Sequence, residues 1–521
     1  MAAEPSATQV DPRRWWALGV LSLVLIVIGM DNLILNVALP TLVRQLHATP
    51  AQLQWIVDGY ILAYAGLLLS MGTLGDRFGR KLALTAGLLA FLAGSLASAF
   101  AGSPGMLIGT RTAMGVGAAL IMPATLSIIT TTFPDTERAR AIGIWAGTAA
   151  GGIILGPLVG GWLLDHFWWG SVFLINLPVV AVTLLGTWAL VGDSRKPNST
   201  PLDPVGAALS IAGLLALVYA IIEVPDHGWA AGFTLGGFAA AAALLGAFIA
   251  WELHARHPML DVGVFTNPRF SAASLSVALV FFAMTGVLFV LIQHLQFVLG
   301  YTPLQAGYRL LPIGTVMAAA PLSAPLVNRV GTKAAVVSGM LLNALALWIL
   351  STVSAGSSYP PVAAALAVIG VGQGLAMAPA TSSIMGSLPP AKAGVGSAIN
   401  STIRQVGSAL GVAVLGSVLS ARYAASITPA LQGLPAPAVA AARRSVGAAT
   451  QVAARLGPSG TPLLAASRSA FVAGMGTALL VGLGFVLAGA LVALLFLPSR
   501  PSAVSQPQPE PASPDRAGRP A

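Results

Sequence analysis

Gly72-Thr73-Leu74-Gly75-Asp76-Arg77-Phe78-Gly79-Arg80-Lys81-Leu82-Ala83-Leu84 joins two long apolar runs, 53–74 and 82–102, by a turn that packs four charges into six residues. Each flanking run meets the length of about 20 residues that a helix needs to cross a bilayer. The glycines permit a tight reversal. Asp76 can accept hydrogen bonds from a neighbouring helix N-terminus, where the helix dipole favours an anion, while Arg77, Arg80 and Lys81 stay at the interface. Such a clasp can break and reform.

Outward from this turn, the same pattern repeats over the chain. Of 521 residues, 56% are hydrophobic and only 8% charged, against about 25% charge in a water-soluble domain. So little polar surface cannot cover a large globule, which excludes a soluble enzyme. Apolar runs lie near 15–39, 53–74, 82–102, 105–132, 140–163, 172–191, 203–223, 233–252, 270–294, 304–327, 334–353, 361–386, 393–420 and 471–497. None shows the ten-residue alternation of a membrane β-barrel. The expected class is an all-α polytopic membrane protein with 14 spans.

The absence of cysteine closes off disulfides, thiolate catalysis and cysteine-held metal. His254 and His257 flank Arg256 in a basic segment and read as a solvated face, so no metal site is expected. Gly370-Val371-Gly372-Gln373-Gly374 lies within a span and reads as helix packing, and no G-x-x-x-x-G-K-[ST] loop for ATP is present. The first residues carry Glu4 and Asp11 and no apolar stretch with a cleavage site, so no cleaved leader is expected.

The net charge of +10 is explained by position. With the N-terminus inside, 17 of the 26 basic residues fall in cytoplasmic segments, Arg13, Arg14, Arg138, Arg140, Arg195, Lys196, Lys392 and Arg500 among them. The positive-inside rule then places both termini in the cytoplasm of a bacterial cell, and nucleic acid is not an expected partner. Five arginines, Arg422, Arg443, Arg444, Arg455 and Arg468, fall in an external segment 421–470, expected as a mobile loop or a surface amphipathic helix. The turn has a partial copy, Leu326-Val327-Asn328-Arg329-Val330-Gly331-Thr332-Lys333, with Asn328 in place of Asp76. Parallel repeats of this kind suggest two halves. The expected division is a tail 1–14, a six-helix bundle 15–192, a linker 193–269 with two extra helices, a second six-helix bundle 270–497, and a disordered tail 498–521.

Here the sequence resembles the major facilitator superfamily, whose loop signature G-x-L-x-D-R-x-G-R-K matches at Gly72, Leu74, Asp76, Arg77, Gly79, Arg80 and Lys81. Gly143, Gly152, Gly156, Pro157, Gly160 and Gly161 fit G-x8-G-x3-G-P-x2-G-G, similar to the antiporter signature of that family. Physically, glycines four apart admit a second helix closely, and the proline bends the span. Leu107, Arg111, Gly115 and Gly117 resemble the fourth-span R-x-x-Q-G pattern, with Met114 in place of glutamine. Asp31, Asn36 and Pro40 resemble the first span of fourteen-span drug:proton antiporters, with Leu33 replacing a threonine, and Trp55 to Tyr60 resemble the start of their second. Phe173 to Pro178, Gln373 in Gly372 to Pro379, and Arg404-Gln405-Val406-Gly407 extend the likeness. The resemblance implies a multidrug exporter that exchanges drugs, dyes or antibiotics for protons, without a cofactor and as a monomer.

Depth along the helices needs no family. Asp31 lies nine residues before Pro40, Asp58 six after Gln52 and Arg111 six after Gly105, so at 1.5 Å per residue all three sit roughly 9–14 Å below the outer surface. A charge at such depth costs about 2.5–3.5 kcal/mol and needs a partner or a wet cavity. Two carboxylates and one arginine leave one net negative charge, to be neutralised by a proton or a cationic substrate. Asp31, Asp58 and Arg111 are therefore the expected coupling residues, with Asn36, Trp55, Tyr60, Met114, Gln373 and Arg404 as expected cavity lining. Export of an endogenous metabolite, such as a self-made antibiotic or a siderophore, is the alternative.

Overall fold

The computed structural model describes residues 13–192, 203–388 and 393–499. The tail positions and Arg195, Lys196, Lys392 and Arg500 lie outside them. The described residues are mainly helical, with no strand among them: α1 (Arg14–Gln45), α2 (Pro50–Phe78), α3 (Arg80–Ala99), α4 (Pro104–Thr132), α5 (Asp135–His166), α6 (Ser171–Leu174), α7 (Asn176–Leu190), α8 (Pro204–His227), α9 (Gly232–His254) and α10 (Pro268–Gln293). There follow α11 (Pro303–Arg309), α12 (Thr315–Ala319), α13 (Ser323–Ser351), α14 (Pro360–Met385), α15 (Ala393–Ile427), α16 (Ala436–Arg444), α17 (Val446–Leu456) and α18 (Thr461–Phe496).

Helix starts repeat one local solution, a capping side chain followed by proline. Thr49 and Thr302 each form a capping box, with Gln52 and Gln305, ahead of Pro50 and Pro303. Ser103, Asp203 and Asn267 accept from the first-turn N–H groups of α4, α8 and α10, each again followed by proline. The proline lacks only an N–H that would have had no helical partner, and the cap satisfies another, worth about 0.5–2 kcal/mol per helix.

Twelve stretches among the described residues are long and apolar enough to cross a membrane. The expected count of 14 is not confirmed by that measure. The difference falls in two places: α5 is not among the twelve, and Pro303–Ser351 counts once over 49 residues. Within it, Gly331 has φ 87°, which breaks α13 near its start. Gly79 of the turn has φ 119°, so the two copies of the motif reverse the chain at the same glycine, in a region closed to most L-residues.

α1 packs along α5 and α7, α2 along α4, and α3 between α4 and α7. Later in the chain, α10 packs along α15 and α14, while α13 lies against α14 and α18. The two groups meet through α2 with α15, α5 with α11, and α1 with α10. α8 and α9 pair with each other, and α8 rests on both α2 and α15. Polar contacts across the seam gather at one end: Ser417 Oγ to Gln54 Oε1 at 3.5 Å, Thr302 Oγ1 to Asp165 Oδ2 at 2.9 Å, and Gln296 Nε2 to the Val37 carbonyl at 2.9 Å.

Segment 421–470 covers this end, and in place of a mobile loop or a helix lying on the membrane it forms α16, α17 and extensions of α15 and α18. Buried Tyr423 donates to the Ala442 carbonyl at 2.9 Å, Arg468 Nε to Phe297 O at 3.3 Å, and Gln451 to Val43 O at 3.4 Å. A side chain at Gly447 would meet Val43 at 2.6 Å and Phe297 at 2.8 Å, so α17 is pressed onto α1 and the end of α10. The alanine-rich stretches serve this close packing.

At the opposite end, Arg14 Nε donates to Glu137 at 2.8 Å and ties the start of α1 to that of α5. That hydrogen bond holds the Glu137 carboxyl below its usual value of about 4.5. The carboxylate's contribution to stability is therefore complete above the usual value and is lost as pH falls through the depressed one. Glu137→Gln is expected to melt below the wild type at neutral pH, with the gap closing in acid as both lose the pair. Thermal unfolding in detergent from pH 7 to roughly pH 3.5 measures this, and a gap unchanged over that range would contradict it.

Candidate functional site

α1, α2 and α4 come close enough to enclose a charge because glycines remove the side chains between them. A Cβ at Gly59 would meet Thr112 Oγ1 at 2.9 Å, and one at Gly115 would run into the Tyr60 carbonyl. Into this contact α4 projects Arg111, 2% exposed. Its Nη1 donates to Asp31 Oδ2, its Nε lies 3.5 Å from the Ile56 carbonyl, and its guanidinium stands 4.3 Å over the Tyr60 ring and 6.0 Å from Phe173. Asp31 is fully buried, and its second oxygen has no partner among the described residues. A charge-assisted hydrogen bond, enclosed by two aromatic faces, offsets much of the desolvation of both ions.

Asp58 is in a different situation. It is fully buried, and neither carboxylate oxygen has a hydrogen-bond partner among the described residues. Gln54, one turn earlier, meets Ser417 and the Gly416 position of α15, and Trp55 packs on Tyr219 of α8 with ring centroids 6.1 Å apart. On a helix, i+3 and i+4 share a face, so Asp58 lies on the side of α2 turned toward α15 and α8. The three charges grouped by depth thus separate into an ion pair, Asp31 with Arg111, and one carboxyl apart from it.

The expected lining residues divide in the same way. Met114 is fully buried with its sulfur 3.9 Å from Arg111 Nη1 and 3.6 Å from Ser98 Oγ, so it still touches the arginine. Asn36 is buried on α1, and Trp55 faces α8. Gln373 of α14 approaches Met284 Sδ at 3.0 Å through Nε2, while its Oε1 has no partner among the described residues. Arg404 of α15 stands 4.8 Å over the Phe281 ring. Tyr64 of α2, which the sequence reading passed over, lies beside Arg404 and Gln405 and links the two groups. Its spacing of four from Tyr60 was the available signal. A second omission is His294, fully buried in a π-helical turn His294–Val298 with neither ring nitrogen partnered among the described residues. No sequence pattern announces that turn.

At the far end of α2, Arg80 Nε donates to Asp76 Oδ1 at 2.9 Å, and its Nη1 donates to the Ser127 carbonyl at 3.2 Å and Thr131 Oγ1 at 3.1 Å. Ser127 Oγ also donates to Asp76 at 3.2 Å. Asp76 therefore takes side-chain donors from α3 and α4, where the sequence suggested a helix N-terminus. Lys81 Nζ reaches the Trp188 carbonyl at 3.0 Å, whereas Arg77 is exposed over Phe78. Gly72 sits beside Pro123 of α4, 3.4 Å from where its Cβ would be.

Of the glycine series on α5, Gly156 would bring a Cβ within 2.7 Å of the Met30 carbonyl, next to Asp31. Gly152 faces Ile26 and Gly160 faces Ile34 in the same groove. Gly161 faces the other way, with its Cβ position 2.6 Å from Leu304 Cα and 2.7 Å from Pro303 O, one turn after Pro157. These four account for the close passage of α5 past α1 and α11. Gly143 differs from the expected packing role: among the described residues nothing lies within 4 Å of its Cβ position, so it is not what admits a neighbouring helix.

Residues 21–412 match the model of the Major Facilitator Superfamily. The chain is 36% identical to the multidrug efflux pump LfrA of Mycolicibacterium smegmatis, over 94% of this chain and 97% of the relative. It is 38% identical to the methyl viologen resistance protein SmvA of Salmonella typhimurium, over 88% and 93%, and 32% identical to the tetracenomycin C resistance and export protein of Streptomyces glaucescens, over 96% and 94%. Among solved structures it is similar to a bacterial homologue of the human lysosomal transporter Spinster, with TM-score 0.64 and 19% identity over 94% of this chain and 99% of that one.

Proposed function

The chain belongs to the major facilitator superfamily, and from that premise we propose that it is a secondary active exporter that exchanges protons for lipophilic, cationic drugs, dyes or antibiotics. It is a multi-pass membrane protein of a transporter family, which points away from an enzyme. The names of relatives that pump or resist drugs support the substrate class. The division of basic residues supports placing the clasp of Asp76 and Arg80 in the cytoplasm and the segment α16–α17 outside the cell membrane. The proposed halves are 15–192 and 270–497, with 193–269 inserted between them, and the working unit is a monomer without cofactor.

The observation that carries the reading is Asp58, a carboxyl enclosed within the bundle with no ion-pair or hydrogen-bond partner among the described residues. An isolated buried carboxylate is heavily disfavoured, whereas a protonated carboxyl or a carboxylate facing a bound cation is tolerated. Proton and cationic substrate therefore compete for one group, which is the condition for exchange. Asp31 and Arg111 form a neutral pair that holds α1 to α4. Each charge crossing 100 mV gains about 2.3 kcal/mol and each pH unit about 1.36 kcal/mol. One proton for one monovalent cation draws on the pH difference alone, and two for one draws on both.

In proteoliposomes with an imposed pH gradient, ethidium is expected to move against the proton flow and to stop when the gradient is collapsed. Ethidium flux indifferent to the gradient would contradict the coupling. An absence of flux for ethidium and other dyes would favour the alternative of an endogenous metabolite as cargo.

A further inference from the structure

We propose that the bundle interior holds a second, positively charged subsite at Arg404 that takes the carboxylate of a zwitterionic amphiphile, so that the preferred substrates carry an acid as well as an amine. This rests on the exporter reading above and names its substrate class more closely.

Arg404 is the one described arginine at mid-membrane depth besides Arg111. Arg111 has an acid, whereas Arg404 has no ion-pair or hydrogen-bond partner among the described residues, and its Nε is enclosed and unsatisfied. The side chain is partly exposed within the bundle, with the guanidinium over Phe281. A guanidinium has five donors in a planar fork suited to a carboxylate, and a flanking aromatic ring leaves that fork free. A charge at this depth requires a partner or a wet cavity.

The surroundings are built for a ligand's polar end. Gln373 is 6% exposed with its Oε1 unsatisfied among the described residues, and its Nε2 meets Met284, one turn along α10 from Phe281. Asn400, one turn before Arg404, is also buried with Oδ1 unsatisfied. Tyr64, hydrogen-bonded to Gln405, approaches from the other side of the seam.

Geometry relates this subsite to Asp58. α2 and α15 run antiparallel, since Gln54 meets Ser417 and Tyr64 meets Gln405, the neighbour of Arg404. Asp58 precedes Tyr64 by six residues, so the negative and positive poles are about 9 Å apart along the bundle. A plain cation satisfies Asp58 and leaves Arg404 without a partner. A zwitterion with its charges at that separation satisfies both.

Rhodamine B, a zwitterion, and its ethyl ester, a cation on the same skeleton, differ only at the carboxylate. Binding of both to the purified full-length protein in detergent is read by fluorescence anisotropy. Arg404→Gln is expected to weaken rhodamine B at least about tenfold and the ester less than twofold, and Arg404→Lys to retain part of the loss, because the charge remains but the fork does not. Equal weakening of both dyes, or none for rhodamine B, would overturn the subsite. Wild-type protein that binds and transports the ester but not rhodamine B overturns the subsite alone. Wild-type protein that neither binds nor transports either dye overturns the drug and dye substrate class, in favour of an endogenous metabolite as cargo, and the subsite with it.

Discussion

Asp58→Asn is expected to abolish uphill efflux while leaving the protein folded. The substitution keeps size and shape and removes only the ability to lose a proton, at a position where neither carboxyl oxygen bonds a neighbour among the described residues. No partner is left unsatisfied, so a small effect on stability is expected. Transport changes fundamentally. With one proton exchanged for one monovalent cation, a gradient of one pH unit sustains about a tenfold dye gradient, because both correspond to about 1.36 kcal/mol. In the Asn variant the sustained gradient falls to one. Dye accumulation in everted vesicles measures this, and an Asn variant that still concentrates dye several-fold removes Asp58 from the coupling.

Arg111→Ala is expected to have the largest effect on stability. It strands Asp31 in a fully buried position, and breaking one side of a buried ion pair costs about 3–5 kcal/mol. It also removes the cation that packs on Tyr60 and Phe173. Little folded protein should survive extraction. Asp31→Asn combined with Arg111→Gln removes both charges and keeps two polar side chains that can bond each other, so most of the folded yield should return. The same double variant separates two roles for Asp31. As half of a fixed pair, its loss leaves proton-driven efflux in place at a reduced rate. Recovery of folding with complete loss of coupling would instead make Asp31 a proton carrier beside Asp58.

Depth was readable in the sequence and direction was not. Rise per residue places Asp31, Asp58 and Arg111 in one layer from residue counts alone. Which of them touch depends on how each helix is rotated, and that is set by contacts far apart in sequence: Gly59 on Thr112, Gly115 on the Tyr60 carbonyl, Gly156 on the Met30 carbonyl. The glycine series of α5 announced a close approach, but Gly143 fits the same spacing and has no described atom within 4 Å of its Cβ position. Helix starts were legible from Thr-Pro and Ser-Pro pairs because capping is local. Segment 421–470 misled because alanine-rich helices with arginines suit a membrane surface and a packed cap equally, and only Gly447, pressed on Val43 and Phe297, distinguishes the two. The turn at Gly79 and its copy at Gly331 were recoverable, since a positive φ leaves its mark as a glycine.

The central claim is that proton and substrate compete for Asp58. It is tested most directly by adding a cationic dye to weakly buffered, detergent-solubilised protein and recording the protons released. Wild type and the Asp31→Asn, Arg111→Gln double variant should each release protons as dye binds, and Asp58→Asn, which mimics the protonated carboxyl, should bind dye weakly and release no protons. Undiminished release from Asp58→Asn would contradict the account.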